Sequence, residues 1–115
     1  MISNGPIQTE YLRELDRYVT QIYYRDDYGF DAGAFRDFFL RYCTEYELRE
    51  WDQIVIFNDS FYGPFTGWDD LFTRMEQEKL DFWGLLDESK LIDGIKYHYL
   101  CSYFLVFCKA SFCET

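Results

Sequence analysis

The sequence predicts an α/β domain: a mostly parallel sheet with helices on both faces. Stretches with apolar residues at helical spacing alternate with short apolar runs, the order that β-α-β crossovers produce. Two of those runs, Ile54-Val55-Ile56-Phe57 and residues 97–108, carry apolar side chains at both parities, as strands covered on both sides do. The chain has 115 residues, 49% hydrophobic and 23% aromatic, so it can bury a real core without disulfides and is no disordered segment. That length implies one domain, or part of one.

Residues 1–6 read as the tail of a strand that turns at Asn4-Gly5-Pro6. Leu12, Leu15 and Val19 recur at helical spacing across residues 9–19, with Glu10, Glu14 and Arg17 opposite. A short strand, Gln21-Ile22-Tyr23-Tyr24, gives way to the polar loop of residues 25–33. A second helix over residues 32–48 lines up Phe35, Phe38, Phe39, Tyr42 and Tyr46, a stripe broad enough to pack on a sheet, with Asp31 as its N-cap. The run from Ile54 to Phe57 is expected to be the central strand. After a loop at residues 58–65, Thr66 and Asp69 resemble a capping box, and Trp68, Leu71, Phe72 and Met75 share one helix face. Residues 81–85 form another short strand, residues 87–94 an acidic loop, and residues 97–108 one long strand buried on both sides.

Against 21 acidic side chains stand 11 basic ones; the net charge of -10 would repel phosphate backbones and anionic lipid, which argues against nucleic-acid binding. No apolar run reaches membrane-spanning length, and Met1 is not followed by a basic segment and an apolar signal core. Cys43, Cys101, Cys108 and Cys113 contain no CxxC pair, and His98 is the sole histidine, a spacing that suits neither a zinc site nor a redox dithiol. Buried reduced thiols in the cytoplasm are the better reading. One histidine also leaves no Ser/His/Asp or Cys/His arrangement to build, and His98 in a strand reads as structural.

In open α/β sheets, ligands bind beyond the carboxyl ends of the strands. The loop Arg25-Asp26-Asp27-Tyr28-Gly29-Phe30-Asp31-Ala32-Gly33-Ala34 carries glycines that admit close backbone approach before a helix start, so a diphosphate fits there, with Arg25 offsetting its charge. An ordinary strand-to-helix loop, with Gly29 at positive φ, explains the same residues. Asn58-Asp59-Ser60 supplies hard oxygen donors suited to Mg²⁺ or Mn²⁺, though an Asx-turn accounts for them equally. Asp87 and Glu88 could reach a substrate as a general base, or belong to a solvated acidic loop. The block Asp69, Asp70, Glu76, Glu78 and Asp81 alternates with the apolar stripe and reads as a solvated face.

Gly29-Phe30-Asp31-Ala32-Gly33-Ala34, Asn58-Asp59-Ser60-Phe61-Tyr62-Gly63-Pro64, Asp81-Phe82-Trp83-Gly84 and Ser102-Tyr103-Phe104-Leu105-Val106-Phe107 together resemble, in that order, the rhamnan synthesis protein F family. The resemblance spans residues 2–112. It implies a GT-A-like, Rossmann-like fold and a glycosyltransferase that moves a rhamnose-type sugar from a nucleotide-diphosphate donor to a glycan acceptor in cell-wall polysaccharide synthesis. Asn58 and Asp59 look like the counterpart of that fold's Asp-X-Asp metal motif, with one carboxylate where the common motif has two, and so would hold Mg²⁺ or Mn²⁺. Donor contacts are then expected from Arg25, Gly29, Asp31, Gly33 and Tyr62, and a cytoplasmic site of action, or a peripheral one at the inner membrane face through partners. Because residues 1–5 read as a second strand, the chain is expected to be a fragment or truncated relative that lacks the first nucleotide-binding strand. The alternative is a non-catalytic acidic interaction module for a protein or glycan partner.

Overall fold

The computed structural model describes residues 1–60 and 62–109 and divides the chain into two compact units, Met1–Thr44 and Glu45–Thr115. In the first unit, strand β1 (Ile2–Ser3) pairs in parallel with β2 (Tyr23–Tyr24), and the Tyr23 and Arg25 amides donate to the carbonyls of Met1 and Ser3. Helix α1 (Thr9–Leu15) connects them. Its amphipathic spacing buries Leu12 and Leu15 partly, and it stops short of the expected residue 19 in a turn where Tyr18 and Val19 donate to Leu15 O.

Helix α2 (Phe30–Asp37) begins at Gly29, whose φ of 68° is left-handed and favours glycine; Gly29, not Asp31, is the N-cap, and Asp31 lies in the first turn. The helix then widens into a π-helical turn, Phe38–Tyr42, closed by a bond from Cys43 N–H to Phe38 O at 2.9 Å. That turn aims its aromatics at β2. Tyr42 stacks on Tyr23 with centroids 4.2 Å apart, and Phe38 meets the same ring edge-on at 6.0 Å. Cys43 is extended and ends the run, so the single helix expected over residues 32–48 is two helices with a break, the second being α3 (Glu45–Glu50).

The second unit holds a three-stranded antiparallel sheet in the order β3 (Gln53–Phe57), β7 (Phe104–Cys108), β4 (Phe82–Gly84). Helix α4 (Trp68–Gln77) packs Trp68, Leu71, Phe72 and Met75 against Trp83, Phe104 and Val106, the last at 0% exposure. Gly67 precedes α4 as its N-cap without a side-chain bond, so the Thr66/Asp69 capping box does not form. Strand β5 (Asp87–Ile92) and β6 (Ile95–Leu100) make a separate antiparallel hairpin through Asp93-Gly94.

This architecture corrects the expected fold class. Among the described residues one strand pair, β1 with β2, is parallel, and the other pairings are antiparallel, so a mostly parallel, Rossmann-like sheet of the GT-A kind is not what the chain forms. The reason lies in the connections. Strand β7 returns between β3 and β4 after a hairpin excursion, whereas parallel pairing needs a crossover. β7 is therefore central and β3 lies beside it, which leaves Phe57 60% exposed. The supposed acidic loop at residues 87–94 is largely β5, and the supposed strand over residues 97–108 is two strands, β6 exposed and β7 buried, split by a turn at residues 101–103.

Candidate functional site

Arg25, at the end of β2, lies in the first unit at the base of the loop that leads into α2. Its guanidinium donates from Nε to Asp37 Oδ2 at 2.9 Å, from Nη1 to Asn4 Oδ1 at 2.6 Å and from Nη2 to the Tyr28 carbonyl at 2.6 Å, and it lies 4.3 Å from the centre of the Tyr28 ring. The Tyr28 hydroxyl donates to Asp37 Oδ2 at 2.8 Å. Arg25 and Asp37 side chains are 3% and 1% exposed, so this is an interior network. The hydrogen bond from Tyr28, opposed by burial and helped by Arg25, holds the Asp37 carboxyl below the usual carboxylate range. Burial works against the Arg25 charge too, but its bonds to Asp37 and Tyr28 outweigh that and raise its pKa further.

Gly33 is dictated by the same network. A Cβ there would collide with the Tyr28 carbonyl and come within 3.1 Å of Arg25 Nη2, while Gly33 N–H donates to Gly29 O at 2.7 Å. Beside the network opens a cleft of about 760 Å³, lined among others by Pro6, Tyr24, Arg25, Asp26, Tyr28 and Arg41. Arg41 reaches it with an exposed side chain whose Nε lies 3.8 Å from Asp37 Oδ1. The structure thus brings Arg25, Gly29 and Gly33 together around Asp37, with Asp31 part-buried in the first turn of α2. Asp37 was not singled out in the sequence. A signal existed: Ala34, Asp37, Phe38 and Arg41 share one helical stripe, and a carboxylate on an apolar stripe must find partners.

In the second unit, β3 ends in Asn58-Asp59-Ser60. Asn58 N–H donates to Tyr103 O at 3.2 Å, tying the loop to the start of β7, and Asn58 Oδ1 accepts from Ser60 N–H at 3.0 Å, an Asx-turn. The Asp59 and Tyr62 side chains are exposed, and Phe61 lies outside the described residues. Among the described residues no three His, Cys, Asp or Glu side chains cluster as metal ligands. With the Asn58 oxygen bonded to Ser60, Asp59 is the one carboxylate of the motif. One carboxylate is too few for an all-protein cage, so an ion held here would have to take most of its oxygens from elsewhere.

Asp87 and Glu88 open β5; both are exposed, and Glu88 Oε2 accepts from the Tyr99 hydroxyl at 3.1 Å. That bond, then burial and the Glu88 charge, raises the Tyr99 pKa. His98 lies on the exposed strand β6. Cys43, Cys101 and Cys108 carry thiols; Cys101 is buried, and its pKa is raised by that burial and by Glu88. Cys113 lies outside the described residues. Among those residues no helix is long and apolar enough to cross a membrane.

A family model described as rhamnan synthesis protein F matches residues 1–114, essentially the whole chain, and ties it to the synthesis of a cell-wall polysaccharide. No curated protein and no solved structure matches it.

Proposed function

The chain belongs to the rhamnan synthesis protein F family, and from that premise we propose that it takes part in transferring a rhamnose-type sugar from a nucleotide-diphosphate donor to a growing glycan. The observation that carries this reading is the Asn58-Asp59-Ser60 turn. Its backbone is fixed at both ends, by the bond to Tyr103 O and by the Asx-turn, so the Asp59 carboxylate is presented to solvent from a rigid strand end. Asp59 is the residue that would hold a divalent cation, and the chemistry such a cation would supply is neutralisation of the negative charge on a departing nucleoside diphosphate.

Calorimetric titration of nucleoside-diphosphate sugars, with and without Mn²⁺, tests the reading. Donor binding that strengthens with Mn²⁺ and loses that dependence in Asp59→Asn, at an unchanged melting temperature, supports it. Wild-type metal and donor affinity in Asp59→Asn, or no donor binding by the wild type, overturns it. A second reading, a non-catalytic interaction module, draws on the β5–β6 hairpin, whose twelve strand residues are all exposed. It gains if the donor titrations are silent.

A further inference from the structure

The β5–β6 hairpin stands apart from the three-stranded sheet, and both its faces are exposed, with Leu91 at 70%, Ile92, Ile95, Tyr97 and Tyr99 among the uncovered side chains. An isolated two-stranded hairpin is marginal in water; further strands or a packed helix normally support one. Its own geometry specifies which strand would fit. Asp93 and Gly94 have φ of 49° and 78°, the two left-handed residues of a type I′ turn, which makes Ile92↔Ile95 a hydrogen-bonded pair. At the far end Cys101 N–H donates to Leu86 O at 2.9 Å, in phase with that assignment. Bonded and non-bonded pairs alternate along an antiparallel ladder, so Glu88, Lys90 and Ile92 bond inward to β6, while Asp87, Ser89 and Leu91 direct their N–H and C=O groups outward. Among the described residues nothing pairs with that edge.

We propose that this edge pairs with β5 of a second copy of the chain, antiparallel about a two-fold axis through Ser89. Outward-facing groups must meet outward-facing groups, which an axis at any residue of β5 allows, but an axis at Glu88 or at Lys90 sets like charges directly opposite each other, and this leaves Asp87, Ser89 or Leu91. At Ser89 the two serines oppose each other, Asp87 opposes Leu91 of the other copy, and Glu88 opposes Lys90 of the other copy on one face, twice by symmetry. Both alternatives pair worse. An axis at Leu91 sets Lys90 opposite Ile92, and one at Asp87 sets Glu88 opposite Leu86, so neither pairs the charges. Lysine on an edge strand ordinarily repels a neighbour. Here the residue opposite is a glutamate, and Lys90 makes no ion pair among the described residues. The pairing creates a four-stranded sheet in the order β6-β5-β5-β6, which meets the support that the hairpin lacks alone. This inference goes beyond the sugar-transfer reading and does not rest on it.

The test is the molar mass of the unliganded chain by light scattering and sedimentation across a concentration series up to the millimolar range. A concentration-dependent dimer is expected. Glu88→Lys and Lys90→Glu, which each set like charges opposite at both symmetric positions, should raise the dimer dissociation constant about tenfold or more. The double variant E88K/K90E should restore it to near the wild-type value, a rescue that loss of folding cannot imitate. Ser89→Pro, which removes an outward amide that the hairpin itself does not use, should abolish dimerisation while circular dichroism stays native. A chain that remains monomeric throughout, or a dimer indifferent to both single charge changes, overturns the proposal.

Discussion

Asp37 is the most buried charged side chain of the described residues. Its carboxylate is useful to the fold only while ionised, because Tyr28 and Arg25 both donate to it. Its folded pKa lies below the ordinary value of 3.8, so the stability it contributes is fully present above that value and is lost as pH falls through the folded pKa. Asp37→Asn should therefore lower the melting temperature clearly at neutral pH and less in acid, as pH falls through the folded pKa of the wild-type carboxyl. An equal loss at neutral and acid pH would mean that charge is not what Asp37 supplies. Cys101 gives the opposite sign. Its raised pKa keeps the thiol protonated, so its contribution is intact below 9.0 and fades as pH rises beyond it. Because the thiolate is the nucleophile, alkylation of Cys101 in the native protein should be slower than in the urea-unfolded chain by orders of magnitude, read by peptide mass spectrometry; equal rates would contradict its burial. Gly33 shows how one residue can carry two readings. Its glycine is required by the Tyr28 carbonyl beside it, so Gly33→Val reports on folding before it reports on any donor.

At the scale of elements, α4 and the three-stranded sheet form the core. Trp68 stacks on Phe104 with centroids 5.0 Å apart, and Phe72 meets Trp83 edge-on at 5.3 Å. Removing the Phe104 ring takes away the common partner of Phe57, Trp68 and Trp83, so Phe104→Ala should cost about 3–5 kcal/mol in denaturant unfolding. A cost under about 1 kcal/mol would show that the helix does not depend on this contact. The helix was legible because Trp68, Leu71, Phe72 and Met75 announce a period of 3.6 residues, and that stripe is the one buried. The Asn58-Asp59 turn at a strand end was legible for a similar reason: an apolar run stopping at polar oxygen donors marks both the strand and its mouth. Strand direction was not. Apolar side chains at both parities say that a strand is covered, not whether its neighbour runs parallel, and in β3 they do not even say that, since Val55 and Phe57 are exposed. The hairpin hid behind its acidic start, although Asp93-Gly94 between Ile92 and Ile95 is a strong turn signal. The ion network escaped because its partners, Asn4, Arg25, Tyr28 and Asp37, are scattered along the sequence.

For the whole molecule the governing quantity is the net charge of -10 on 115 residues. Like charges spread over a small surface repel, and folding brings them closer than they lie in the open chain, so the compact state bears a cost that dissolved salt relieves. Attractive pairs would lose from the same screening, but those on the surface are individually weak. Arg49 with Glu45, and Lys109 with Asp52, are exposed, and such pairs contribute about 0–1 kcal/mol each. The Arg25–Asp37 pair is interior and is screened much less. Repulsion therefore dominates the salt response. Raising NaCl from about 0.01 M to about 0.15 M shortens the Debye length from about 30 Å to about 8 Å, and the melting temperature at pH 7 should rise by several degrees, most of it within that interval. Sodium sulfate at matched ionic strength separates screening from surface exclusion: screening alone gives equal shifts, and any extra gain in sulfate measures the exclusion of that anion from the surface. A melting temperature that falls as NaCl is added would mean that attractive surface pairs, not the acidic excess, set the electrostatics of this fold.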